Sequence, residues 1–256
     1  MWNERQIKEK ELLKESNFLT IKQLAMMLKV SEMTVRRDIP IITKDTSISQ
    51  VHGGLVFKQE EDTQTRYEAT RENTKNQLLK KVISKKALEY IHDDMVIFFD
   101  SGTTIKMLCE SIPKDRAITA ITSSYEALIP LTELSNSTII TPGGVFSHKP
   151  RVFYDLESIK SINRYRGNIA FIGATGYEMH MGLTCAYTED APLKQAIMES
   201  CQTRILLIDS SKFGIVSTCF FSDLSKFSVV ITDKGIPREY EDYIRKQDTV
   251  ELIIVE

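Results

Sequence analysis

Seven short apolar stretches recur from residue 95 onward: MVIFF (95–99), ITAIT (118–122), STIIT (137–141), NIAFIG (168–173), RILLID (204–209), FSVVIT (227–232) and VELIIV (250–255). Amphipathic helix patterns separate them at roughly 104–111, 125–134, 189–202 and 237–246. Runs this short and this continuously apolar suit strands covered on both faces. Their alternation with helices predicts an α/β domain with a largely parallel sheet. A helical repeat of Leu78, Leu79, Val82, Ile83, Leu88 and Ile91 leads into it.

The preceding residues follow other periods. Residues 4–39 read as three short helices. The first carries an apolar stripe of Ile7, Leu12 and Leu13. The second, IKQLAMML, has Thr20 as its N-cap and turns Ile21, Leu24, Ala25 and Leu28 inward. Ser31 caps the third, EMTVRRDI, after a three-residue break. There Val35, Ile39 and Ile42 bury one face and leave Met33, Thr34, Arg36 and Arg37 outside. Two helices joined in this way suit a helix-turn-helix. Arginine forks two hydrogen bonds onto guanine, and hydroxyls near the helix start reach phosphates. On residue pattern alone, the two arginines suit equally a solvated pair on any small helical bundle. Residues 40–58, with TSISQV and a His52-Gly53-Gly54 turn, predict a short β-ribbon. Pro40 should drive Ile39 out of the α region and end or kink the third helix early. Residues 59–74, QEEDTQTRYEATRENT, are polar and nearly free of aliphatics, and read as a linker.

The loops after the expected strands share one chemistry. They are Asp100-Ser101-Gly102-Thr103-Thr104, Thr122-Ser123-Ser124, Pro142-Gly143-Gly144, Gly173-Ala174-Thr175-Gly176 and Asp209-Ser210-Ser211-Lys212. Glycines admit a ligand close to the backbone, hydroxyls and amides bond phosphate oxygens, and lysine adds charge. Open α/β sheets bind ligands at these strand ends. One such loop is ordinary turn chemistry; several together point to a phosphate-bearing ligand.

Composition narrows the class. At 256 residues, 42% hydrophobic and 27% charged, the chain suits two globular domains. No apolar run nears the roughly 18 residues of a membrane span, and the charged N-terminal segment does not read as a signal peptide. A cytoplasmic protein without a membrane partner is expected. The four cysteines are scattered and read as reduced thiols. The four histidines are dispersed, so neither a metal nor another cofactor is expected. Residues 1–58 hold ten Lys or Arg against seven Asp or Glu, a net of +3, leaving −5 for the remainder of a chain whose total is −2. That asymmetry permits a nucleic-acid contact at the N-terminal end.

The string LTIKQLAMMLKVSEMTVRRDI, with VHGG beginning thirteen residues beyond Asp38, resembles the DeoR family of bacterial transcriptional regulators; DSGTT, FIGATG, GLT and DSSKFG follow in the family's order. The resemblance implies a winged helix-turn-helix over 1–58, the linker, and over 75–256 a parallel-sheet α/β effector domain resembling ribose-5-phosphate isomerase. It implies a repressor of a sugar or nucleoside catabolic operon, a homo-oligomer on double-stranded operator DNA, released by a phosphorylated sugar. Thr20, Lys22, Ser31, Thr34, Arg36, Arg37 and His52 are then the DNA-contact candidates. Asp100, Gly102, Thr103, Thr104, Thr122, Ser123, Gly173, Lys194 and Lys212 are the effector candidates, to which the loops add Ser101, Gly143 and Gly144. Three departures stand out: Pro40 falls where the family usually continues the recognition helix, Ser49 and Gln50 replace a commonly basic wing, and Ser123 a common asparagine. A finer likeness, through FFDSGTT, ITAITSSYEAL, RVFYDLES, LTCAYTEDAPLKQAIM and KFSVVITD, points to the branch answering deoxyribose-5-phosphate.

Two other functions stay in view. Asp100, Glu189, Asp209 and Lys212 are residue types an aldose–ketose isomerase needs for proton transfer. A regulator acting through a protein partner would use the N-terminal helices as a docking bundle. The DNA-reading module fused to a ligand domain favours sensing over catalysis, so an enzyme is not expected.

Overall fold

A computed structural model describes every residue except 1, 17, 46, 52 and 58–73. His52 and nearly all of the expected linker, 59–74, lie outside the described residues. The chain forms two compact units, one from residues 1–72 with 215–218 and one from 73–214 and 219–256.

The first unit runs α1 (Glu4–Ser16), β1 (Phe18–Thr20), α2 (Ile21–Leu28), α3 (Glu32–Ile42), β2 (Ile48–Val51) and β3 (Gly54–Phe57). Thr20 and Gln23 form a capping box that starts α2, and a left-handed Lys29 (φ 55°) ends it. Ser31 caps α3 through the Thr34 amide. Leu13, Leu24, Val35, Ile42 and Leu55, all fully buried, make the core. Ile7, expected inside, is exposed; the buried face of α1 carries Gln6, Glu9 and Leu13. The ribbon β2–β3 is joined by β1, which the sequence did not announce, in the order β1-β3-β2. A side chain at position 54 would meet the Leu19 carbonyl oxygen at 2.6 Å, so only glycine lets β1 and β3 close.

Helix α3 does not end at Pro40. It continues to Ile42 with Pro40 inside it, exposed to solvent. The expected break is overridden because Val35, Ile39 and Ile42 are buried on one face. The Thr43 amide (3.0 Å) and hydroxyl (2.7 Å) both donate to the Ile39 carbonyl and close the last turn.

The second unit holds α4 (Thr74–Leu88), β4 (Val96–Phe99), α5 (Thr103–Ser111), β5 (Thr119–Ile121), α6 (Tyr125–Leu131), β6 (Thr138–Ile140), β7 (Val145–Ser147), β8 (Val152–Tyr154) and α7 (Leu156–Ile162). It continues with β9 (Gly167–Gly173), β10 (Gly176–Glu178), β11 (Gly182–Cys185), α8 (Asp190–Glu199), β12 (Cys201–Leu207), β13 (Cys219–Ser222), β14 (Val229–Asp233), α9 (Arg238–Arg245) and β15 (Glu251–Val255). The seven expected strands form one parallel sheet, ordered β15-β14-β12-β9-β4-β5-β6.

Strand alternation sends neighbouring residues to opposite faces. Phe99, Phe171, Leu207 and Ile231 pack under α4, α5 and α6 with Ile83, Ile105 and Leu131. Phe98, Ile172, Leu206 and Val230 pack under α7, α8 and α9 with Ile162, Ile197 and Ile244. Both faces are therefore covered, as the continuous apolar runs required. Two small antiparallel additions, β7–β8 and β10-β11-β13, complete the unit.

Candidate functional sites

The first site is the outer surface of α3. Arg36 and Arg37 are exposed beside Met33, while Thr34 is half-buried and hydrogen-bonded to the Ser31 cap. Lys22 is exposed on α2. Of the next residue in the run, Asp38, only 2% is exposed. Its carboxylate takes a two-pronged contact from Arg5 (2.7 and 3.1 Å) and a third bond from the Gln6 amide at 2.9 Å. Burial disfavours the charged Asp38, but the Arg5 and Gln6 bonds outweigh it and hold the carboxyl below its ordinary value. The Arg-Arg-Asp run thus has two outward cations and an inward anchor that clamps α3 to α1. Glu9 stands by that anchor, fully buried, both oxygens without a hydrogen-bond partner. Burial, and then the Asp38 charge, push its carboxyl up to about 7.

The second site lies at the carboxyl edge of the parallel sheet, and its loops meet there in two groups. In the first, the Asp100 carboxylate accepts the Gly173 amide (3.0 Å) and a short ion pair from Lys194, each side chain 4% exposed. The Lys194 ammonium also donates to the Gly173 carbonyl (3.1 Å) and lies 5.4 Å from the Phe221 ring. Burial works against the Lys194 charge; Asp100 and Asp190 outweigh it and raise its pKa. Asp190, 8% exposed in the first turn of α8, has its carboxyl pushed up to about 6. Burial leads, Lys194 opposes, and Asp100 and Glu189 add to it; a bond to the Ser101 side chain pulls it back.

The second group stands on the α4 side. Gly102 precedes α5 at φ 116°, a conformation open to glycine, and no side chain caps the first amides of α5. Asp209 is turned inward, bonded to the amide and hydroxyl of Ser211. Lys80, 4% exposed on α4, is within electrostatic reach of Asp209 and Lys212, yet its ammonium makes no hydrogen bond or ion pair with a described residue. Burial first, and then the Lys212 charge, lower its pKa, with Asp209 opposing. The Ser84 hydroxyl bonds the Lys80 carbonyl (2.7 Å) and the Thr104 carbonyl (2.9 Å), tying α4 to α5.

The remaining candidates are spread toward β6. Thr122 organises its turn by accepting the Ser124 amide (3.0 Å). The Ser123 hydroxyl is buried with no partner. Gly143 and Gly144 follow β6, two strands from β4, with Gly144 close-packed on the Tyr154 backbone.

Sequence reading missed Lys80 and Asp190. Both left a signal: Lys80 shares a helical face with Ile83, Ala87 and Ile91, where a lysine is out of place, and Asp190 lies one turn before Lys194. A separate cleft of about 460 Å³, lined by Tyr177, Asp223, Tyr243 and Lys246 among others, holds none of the candidates. No group of three metal-ligating side chains occurs among the described residues. Nor is any described helix long and apolar enough to cross a membrane.

Both units match known protein families. Residues 5–61 match the DeoR-like helix-turn-helix domain and residues 75–234 the DeoR C terminal sensor domain. The chain belongs to the DeoR family. It is 30% identical over 235 residues to the deoxyribose operon repressor of Escherichia coli, covering 92% of each chain. It is also 30% identical to the uncharacterized HTH-type transcriptional regulator YulB of Bacillus subtilis, over 91% of this chain and 89% of that one. The L-fucose operon activator of Haemophilus influenzae is 29% identical, over 90% and 92%. Among solved structures, ribose 5-phosphate isomerase A from Methanocaldococcus jannaschii aligns with 54% of this chain and 55% of its own at 19% identity and a TM-score of 0.41. With both domains assigned, α3 lies in the helix-turn-helix domain of a DeoR-family regulator, and the sheet edge lies in its sensor domain.

Proposed function

We propose that this protein is a transcriptional repressor of a sugar or nucleoside catabolic operon, released from its operator by a phosphorylated sugar, with deoxyribose-5-phosphate the first candidate. The observation that carries the reading is Lys80, a lysine only 4% exposed that lies within electrostatic reach of Lys212 and Asp209 at the carboxyl edge of the sheet. A buried cation in that position calls for an anion. A phosphate seated on the uncapped first amides of α5, with Thr103 beside it, would supply one. Arg36, Arg37, Thr34 and Lys22 contact the operator in this reading, and two copies of α3 address two half-sites.

The acidic group at Asp100 and Asp190 also has the chemistry of an isomerase site, so turnover is the competing outcome. Thermal shift of the full chain against pentose and hexose phosphates, followed by gel shift on the DNA upstream of its own operon, separates the readings. Stabilisation by one sugar phosphate, no turnover, and operator release by that ligand are expected. Isomerisation of the ligand at an enzymatic rate, or operator binding indifferent to every sugar phosphate, would overturn the proposal.

A further inference from the structure

The sheet edge has two ends of different electrical character. On the α4 side, Lys80 and Lys212 stand with Asp209, bonded to Ser211, and with Asp233, whose carboxylate accepts the Ser210 and Gly235 amides at 2.7 and 2.9 Å. On the α8 side, two acids, Asp100 and Asp190, stand against one lysine, Lys194. The first end balances its acids with lysines and the second does not, so a dianionic phosphate is favoured at the first over the second. A ligand with a phosphate at one terminus is therefore oriented before any shape fit operates, its uncharged polar part toward α8.

The internal accounts of the α8 end leave one group over. Asp100 is committed to Lys194 and the Gly173 amide. Lys194 is committed to Asp100, the Gly173 carbonyl and the Phe221 face. Asp190 has the Ser101 side chain and the longer-range field of Lys194. A carboxylate accepts four or more hydrogen bonds, so a buried one with so few donors attracts further hydroxyls.

The geometry points to Asp190 as the residue that reads the sugar: it accepts hydrogen bonds from hydroxyls of the polyol part of the ligand, while Ser101 links it to the loop at Gly102 and Thr103. This rests on the reading of the edge as a phosphorylated-sugar site and adds to it which end of the ligand is discriminated, and by what. A pocket built to satisfy hydroxyls penalises a ligand lacking them, because the acceptor is left unpaired.

The test uses the full chain and calorimetric titration with three probes: 2-deoxyribose-5-phosphate, ribose-5-phosphate and n-pentyl phosphate, which keeps the phosphate and lacks the hydroxyls. The wild type is expected to prefer the pentose phosphates. Asp190→Asn is expected to weaken both by about tenfold or more while moving pentyl phosphate less than about twofold. Lys80→Met is expected to weaken all three. The melting of D190N without ligand checks its fold, and Asp190→Ser replaces it if Asn does not fold. Equal loss of all three probes in D190N would reduce Asp190 to a support for the loop, and unchanged pentose affinity would remove it from recognition. Equal wild-type affinity for the three probes overturns the assignment of Asp190 but leaves phosphate sensing standing. No binding of any probe by the wild type overturns both.

Discussion

Two buried charged residues, one in each unit, carry the sharpest consequences of single side chains. Glu9 has no hydrogen-bond partner and a carboxyl pushed up to about 7, so the folded unit holds its proton where the unfolded chain has released it. A raised carboxyl contributes stability that is present below its ordinary value, near 4.5, and lost as pH climbs through about 7. Glu9→Gln should therefore stabilise the N-terminal unit at pH 8 by ~1–3 kcal/mol and give almost nothing at pH 5. Denaturant titration followed by Trp2, the single tryptophan, which packs on this core, reads the effect. Asp45, held below its ordinary value by Lys10 and Ser47, acts in a lower window, losing its contribution as pH falls through the acid range, so it does not confound the comparison. Lys80 poses the opposite case. Burial disfavours its charge, so Lys80→Met should leave the ligand-free protein as stable or more stable while weakening sugar-phosphate binding at least tenfold. A fall in ligand-free melting temperature would instead mark Lys80 as a structural residue.

At the scale of elements, the same proline gives both an expectation that failed and a way to measure why. Residue 40 cannot donate to the Arg36 carbonyl, yet α3 continues because Ile39 and Ile42 are held in the core. Tertiary burial here outweighs a local penalty of ~3 kcal/mol or less at an exposed position near the helix end. Pro40→Ala should return part of it, raising the stability of the N-terminal unit by ~1–2 kcal/mol in the Trp2-monitored unfolding. No gain would mean that the last turn owes nothing to its backbone bonds. The seven parallel strands were legible because each carries a continuous apolar run, buried in the inner strands and partly buried in the outer β6 and β15. The helices α4, α5, α6, α8 and α9 were legible from their period. The strands β1, β10, β11 and β13 were not: FLT, GYE, GLTC and CFFS are three or four residues long and owe their extended state to partners distant in sequence. The loops of the ligand edge were visible through their residue types, but the pairing of Asp100 with Lys194 spans 94 positions and only folding reveals it. Lys80 escaped because a helix pattern is read for its apolar members, and the informative residue was the exception among them.

For the whole molecule, the proposal that one chain both reads DNA and senses a sugar phosphate has a consequence that thermodynamics imposes whatever the path between the units. If the ligand lowers operator affinity by some factor, bound operator must lower ligand affinity by that same factor. A coupling of 5–150-fold is the ordinary range for such regulators, ~1–3 kcal/mol. The two sides are measured separately: operator binding by fluorescence anisotropy with and without saturating sugar phosphate, and ligand binding by calorimetry with and without saturating operator. The two ratios should agree within error. Arg37→Ala should weaken operator binding and leave the calorimetric affinity of the DNA-free protein unchanged, since Arg37 lies exposed on α3. Lys80→Met should keep operator affinity in the absence of ligand and lose the response to it. A ligand that binds tightly with both ratios equal to one would show that the sheet edge holds a sugar phosphate without reporting it, because a ligand shifts an equilibrium only by its differential affinity for the two states.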